Sequence, residues 1–154
     1  GEKWSKVVEK GGTEMLMGEY QHTLDEKGRL FMPAKLREAL GKEFYISKGL
    51  DGCLFVYDQE QWQLFEDKLN ALPMSKKEAR DLRRYFFAGA TEGTCDKQGR
   101  VMLPPLLRLH AGIAKEVVIV GVGNRAEIWA AERWHTYTQE SAEVLAEKLT
   151  DLGI

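Results

Sequence analysis

Long hydrophobic runs are missing from this chain. The longest, Val117 to Val122, has the length of a strand and falls far short of the roughly 18–20 residues a membrane helix needs. The N-terminus lacks the basic-then-apolar pattern of a secretory leader. Cysteine is scarce: Cys53 and Cys95 lie 42 residues apart with no CxxC partner, which argues against structural zinc and for a reduced, cytoplasmic setting. Charge of one sign is lacking too. With 22 Lys and Arg against 24 Asp and Glu the formal net charge is −2, so any anion-binding face has to be local. His22, His110 and His135 have no metal-ligand spacing, and Ser5, Ser47, Ser75 and Ser141 have no nucleophile-elbow context. No acid/base pair suggests catalysis. The chain therefore reads as a non-enzyme with no cofactor, no metal, no small-molecule substrate and no membrane.

What is present is enough for a core: 44% of the 154 residues are hydrophobic and 30% charged, the mix of one compact domain or two intertwined halves. Residues 1–14, charged and carrying a Gly-Gly pair ahead of Met15, read as an upstream extension or expression remnant. The strongest signal is a repeat. A shift of 71 lays Asp25, Gly28, Arg29, Pro33, Leu36, Arg37 and Gly41 on Asp96, Gly99, Arg100, Pro104, Leu107, Arg108 and Gly112. A shift of 72 then lays Gly49 on Gly121 and Trp62 on Trp134.

Each copy has the same local grammar. Residues 19–24 read as a strand, and Asp25-Glu-Lys-Gly28 as a tight turn of type I with a G1 bulge, in which Asp bonds the backbone and Gly takes the positive φ. Residues 29–32 return as a strand, Pro33 takes the first helical position, and Gly41 ends that helix. Two strands follow at 43–47 and 53–57, and Asp58 caps a helix with Trp62, Phe65, Leu69 and Leu72 on one face. The second copy predicts strands near 101–103, 116–121 and 126–129, a helix from Pro104, and a last helix to about residue 149. Between the copies, Ser75 and Glu78 form a capping box for a helix whose apolar face holds Leu82, Tyr85 and Phe86.

Charge is unevenly spread. Residues 75–84 carry five bases against two acids, whereas 127–151 carry six acids against two bases. The Gly121-Val-Gly-Asn-Arg-Ala126 stretch imitates a GxGxxA dinucleotide fingerprint, but its counterpart in the first copy is strand–turn–strand, so a hairpin is expected. Asp25-Glu-Lys-Gly28 is no calcium loop, since Gly stands at position 4 rather than 6. A well-made hairpin with Asp and Arg paired across it would by itself account for the motif. The functional alternative holds Arg29 rigidly at the hairpin base, ready for phosphate or guanine, with Lys27 as a second cation.

Two strand–DxxGR–strand–Pro–helix units about 70 residues apart, opening MLMGEYQHTLDEKGRLFMPAKLRE and followed by Asn70-Ala-Leu-Pro73, resemble the MraZ family. These are bacterial transcriptional regulators at the head of the division and cell-wall gene cluster, related to the AbrB/SpoVT swapped-hairpin DNA-binding proteins. The resemblance runs from Met15 onward. It implies an α+β fold of two tandem ββαββα-type halves forming a pseudo-twofold swapped-hairpin (double-psi) barrel with flanking helices. The implied divisions are a first repeat over 19–61, linking helices over 62–89, a second repeat over 90–133 and a C-terminal helix over 134–154. It further implies a nucleoid-associated ring homo-oligomer on direct repeats in double-stranded promoter DNA, often upstream of its own gene. Candidate DNA contacts are Arg29 first, then Lys27, His22 and Lys35; Asp25, Gly28, Asp96, Gly99 and Arg100 orient the hairpins. Met17 stands where family members can carry a basic residue, and Gln98 stands opposite Lys27, so the second copy is expected to serve assembly more than DNA. The competing expectation is an antidote-like protein-interaction module without DNA activity.

Overall fold

The structure, a computed structural model, describes residues 15–154. The first half runs β1 (Leu16–Thr23), β2 (Arg29–Phe31), α1 (Ala34–Leu40), β3 (Glu43–Lys48), β4 (Leu54–Asp58) and α2 (Gln59–Asn70). After α3 (Lys77–Ala88), the second half repeats it as β5 (Ala90–Thr94), β6 (Arg100–Met102), α4 (Pro105–Ala111), β7 (Glu116–Gly123), β8 (Ala126–Ala130) and α5 (Ala131–Tyr137). A last helix, α6, spans Ala142–Asp151.

The halves exchange strands. β1 pairs antiparallel with β7 of the other half, from Leu16↔Gly123 to Thr23↔Glu116, and β5 pairs with β3, from Thr94↔Glu43 to Ala90↔Ser47. β4 and β8 meet between them, giving the six-stranded order β1-β7-β8-β4-β3-β5. β2 and β6 pair with each other as a separate ribbon, which joins β1 and β5 through the two Asp-x-x-Gly-Arg turns. Two backbone bonds tie the crossing, Met32 N–H to the Gly99 carbonyl at 2.8 Å and Leu103 N–H to the Gly28 carbonyl at 2.9 Å. This is the expected α+β swapped-hairpin architecture.

The repeat explains the core. Leu30, Met32, Leu36 and Leu40 are buried, and so are Val101, Leu103, Leu107 and Ala111, the residues 71 positions on. They share one cluster with Phe44, Ile46, Val117 and Ile119. The opposite faces of β4 and β7 feed a second, aromatic cluster: Phe55, Tyr57, Val118 and Val120 pack with Trp62, Phe86 and Trp129. Both strands are thus buried on two sides, which is why they read as continuous apolar runs. Asp58 caps α2 as expected, its Oδ1 accepting the Gln61 N–H at 2.7 Å. An Asp58→Ala variant should lose about 1 kcal/mol, read as a fall of a few degrees in melting temperature.

Several local expectations need correction. Pro33 and Pro104 stand one residue ahead of their helices with extended ψ of 144° and 147°, and their carbonyls receive the first helical N–H bonds from Arg37 and Arg108. The Ser75 capping box does not form. A turn from Pro73 to Lys76 moves the helix start to Lys77, and Lys76 caps without a side-chain bond. Leu82 is exposed, and the buried face of α3 is Ala79 and Phe86. The acidic C-terminal helix is two helices, broken at residues 138–141, where Ser141 caps α6 by accepting the Val144 N–H. β3 and β7 begin 73 residues apart, because Ile113 and Ala114 lengthen the link after α4, while β4 and β8, and α2 and α5, keep the expected 72. The GxGxxA stretch, by contrast, is the hairpin turn expected: it joins the antiparallel β7 and β8 and is closed by Val122 N–H to the Arg125 carbonyl at 2.9 Å.

Candidate nucleic-acid interface

Each Asp-x-x-Gly-Arg turn is built by one carboxylate. Asp25 Oδ1 accepts the N–H groups of Lys27 at 2.9 Å and Arg29 at 2.8 Å, while its Oδ2 accepts Arg29 Nε at 2.8 Å. Asp96 does the same for Gln98, Arg100 and Arg100 Nε at 2.9, 2.9 and 3.1 Å. Gly28 and Gly99 hold φ of +80° and +82°, which a side chain would strain. These bonds favour the charged carboxylates: the Arg29 N–H is the largest cause holding the Asp25 carboxyl below its ordinary range, and the Arg100 N–H does so for Asp96. A folded-state pKa below the unfolded one means the turn's stabilisation is present above about pH 4 and is lost as pH falls through the lowered values. The amide resonances of Arg29 and Arg100 should therefore hold their shifts down to about pH 4 and move together only below it.

The crossing of the halves places the two turns side by side. Arg100 Nη1 lies 3.7 Å from Asp25 Oδ2, so one carboxylate faces both arginines. On the ribbon, Leu30 and Val101 point into the core, while Arg29, Phe31, Arg100 and Met102 share the outer face. His22 packs on Phe31 with ring centroids 5.2 Å apart, on this same face. Lys27 and Lys97 are exposed at the turn tips. Lys35 is exposed on the first turn of α1, and no described contact ties it to the hairpins.

Two further arginines belong here that the motif alone did not single out. Arg37 Nε donates to the Met32 carbonyl at 2.8 Å with its guanidinium 5.5 Å from the Phe31 ring centre, and Arg108 Nε donates to the Leu103 carbonyl at 3.0 Å. Each underlies the other half's turn: a Cβ on Gly99 would sit 3.0 Å from Arg37 Cζ, and one on Gly28 3.0 Å from Arg108 Cζ. Their signal was their pairing in the repeat. With Lys27, Arg29, Lys97 and Arg100 they make six bases against Asp25, Glu26 and Asp96, a local positive face on a chain of net charge −2.

The arginines differ in what their ends do. Arg29 uses Nε on Asp25, and among the described residues no ion pair or hydrogen bond occupies its terminal nitrogens. Arg100 is tied at both, through Nη1 towards Asp25 and Nη2 on Gln98 Oε1.

Fold and turns together define a swapped-hairpin protein of the AbrB type, folded as a pseudo-dimer within one chain. A family model described as "MraZ protein, putative antitoxin-like" matches residues 15–85 and again 86–152. The chain is 55% identical over 143 residues to the transcriptional regulator MraZ of Heliobacterium modesticaldum, covering 91% of this chain and all of that protein. The MraZ regulators of Syntrophomonas wolfei and Limosilactobacillus reuteri are each 52% identical, over 91% of this chain and 100% and 99% of their own lengths. The chain belongs to the MraZ family, one of regulators rather than enzymes.

Proposed function

We propose that this chain is a sequence-specific DNA-binding transcriptional regulator, acting on its own promoter in the division and cell-wall gene cluster. One observation carries the reading: two arginine-bearing turns lie together on the outer face of a two-stranded ribbon, above a layer of two more arginines. A two-stranded ribbon fits the major groove, where an arginine fork reads guanine O6 and N7. Arg29 is the reading residue, Lys27 a phosphate contact, and His22 with Phe31 an apolar margin beside them. Lys35, exposed on the first turn of α1, is a further phosphate contact in this reading. Arg100 and Asp96 hold the neighbouring turn in place.

A single copy has few phosphate contacts and would bind weakly. A ring of copies on spaced direct repeats multiplies modest contacts through effective concentration. The test is a mobility-shift titration against the DNA upstream of the gene at several salt concentrations. Affinity should fall steeply and linearly on logarithmic axes as salt rises. No shift at low salt would overturn the reading in favour of the protein-interaction module that the words "antitoxin-like" suggest.

A further inference from the structure

The face of the β2–β6 ribbon that carries the arginines is not uniformly charged. Arg29 stands across from Met102 and Arg100 across from Phe31, so each cation has a large apolar residue as its cross-strand neighbour. Phe31 and Met102 are also equivalents in the repeat, 71 positions apart. Both lie on the outside, 36% and 50% exposed, while Leu30 and Val101 between the outward positions are buried. Single exposed hydrophobes are ordinary on a protein surface. Two at equivalent places in the two halves, each opposite an arginine, make a small patch that alternates charge with apolar surface.

Phe31 is also held still. His22 lies on it with ring centroids 5.2 Å apart, the Arg37 guanidinium lies 5.5 Å from its ring centre, and a Cβ on Gly99 would come 3.1 Å from its Cε1. These contacts fix the ring without covering it. A ring already fixed loses little freedom when a ligand group touches it. A phosphate gains nothing from such a ring. A base edge in the major groove does offer one apolar group, the methyl of thymine.

We infer that Phe31 and Met102 read the methyl groups of thymines that flank the guanine taken by Arg29. The inference rests on the DNA reading above and extends it from one base to a short sequence. Spacing supports it. Met102 is directly across from Arg29, with side-chain origins about 5 Å apart, and Phe31 is two residues along the same strand, roughly 7 Å away. Stacked base pairs are about 3.4 Å apart, so these offsets match one or two steps along the groove. Cytosine in such a place presents an amino donor instead, which an apolar side chain cannot satisfy. Phe31 is the more selective of the two, because its ring is fixed, whereas the flexible Met102 thioether adapts to more than one base.

The experiment titrates wild type, Phe31→Ala and the variant carrying both Phe31→Ala and Met102→Ala against two duplexes of the upstream DNA. One is natural, and the other is synthesised with deoxyuridine in place of every thymidine, which keeps the pairing and removes only the methyl groups. Low salt keeps weak complexes measurable. Wild type should bind the uracil duplex about fourfold more weakly for each methyl buried, a factor that grows with the number of copies engaged. Phe31→Ala should bind the natural duplex more weakly than wild type and show a smaller ratio between the two duplexes. The double variant should not tell them apart. Equal binding of both duplexes by wild type would overturn the inference, and that comparison needs no substituted protein. A wild-type ratio that persists in the double variant would overturn it too, because the methyls would then act through duplex shape alone. Failure of the DNA reading looks different: wild type would bind neither duplex more tightly than scrambled DNA, and the inference would fall with it.

Discussion

Arg29→Ala is expected to abolish specific binding to the upstream DNA while leaving the melting temperature nearly unchanged. The Arg29 side chain is about a quarter exposed and its ion pair with Asp25 lies at the surface, so little stability is at stake. What is lost is a guanidinium oriented by Asp25, with terminal nitrogens that no described residue occupies. One such bidentate contact is worth about 1–3 kcal/mol, roughly five- to 150-fold per copy, and the loss compounds over copies engaged together. Arg29→Lys should not rescue it, since a lysine cannot bond Asp25 and fork onto a base at once. Lys27→Ala should weaken binding across all sequences and lower the salt slope by about one. Arg100→Ala should reduce specificity less than Arg29→Ala, because its terminal nitrogens are already taken by Asp25 and Gln98. A competition assay against scrambled DNA checks this, and equal losses from the two variants would refute the assignment of separate roles.

The largest effect on stability should come from Phe44→Ala. Phe44 is 1% exposed in β3, opposite Asp58 of β4 and Gly93 of β5, and its ring lies where a Cβ on Gly93 would be, 2.8 Å from the Phe44 Cε1. Truncating it removes a large apolar side chain and leaves a cavity the sheet cannot close, a loss of about 3–5 kcal/mol. For a chain of this length that is roughly 10 °C in melting temperature. Because β3 belongs to the first half and β5 to the second, the cavity loosens both halves together. Calorimetry should show one transition moved down, and two separated transitions would mean that the halves melt independently.

The turns were the most legible part of the sequence. Asp, Gly and Arg at fixed spacing have one low-energy arrangement, and the bonds from Asp25 and Asp96 are the ones that grammar predicts. The core was legible through the repeat, since Leu30 and Val101, or Leu36 and Leu107, occupy equivalent positions in two copies. Which strand pairs with which was not legible from local pattern. β1 and β7 are about a hundred residues apart, and only the family resemblance supplied the exchange. The repeat paired Arg37 with Arg108, but their role was not legible because it depends on that exchange: each lies under a glycine of the other half. The break at residues 138–141 was hidden by the acidic composition on both sides of it, which reads equally well as one helix. The Ser75 box failed because Pro73 had already set a turn there.

The covalent joining of the two halves has a consequence for how such a protein can change. In a homodimer of single halves, every substitution would strike both turns at once, and the pair would stay identical. Here Lys27 and Gln98 occupy the same place in the two copies, and among the described residues one arginine keeps an unoccupied end while its twin is held by Asp25 and Gln98. Fusion releases the halves from mutational lockstep, so that one turn can change its contacts while the other keeps the β2–β6 ribbon in register.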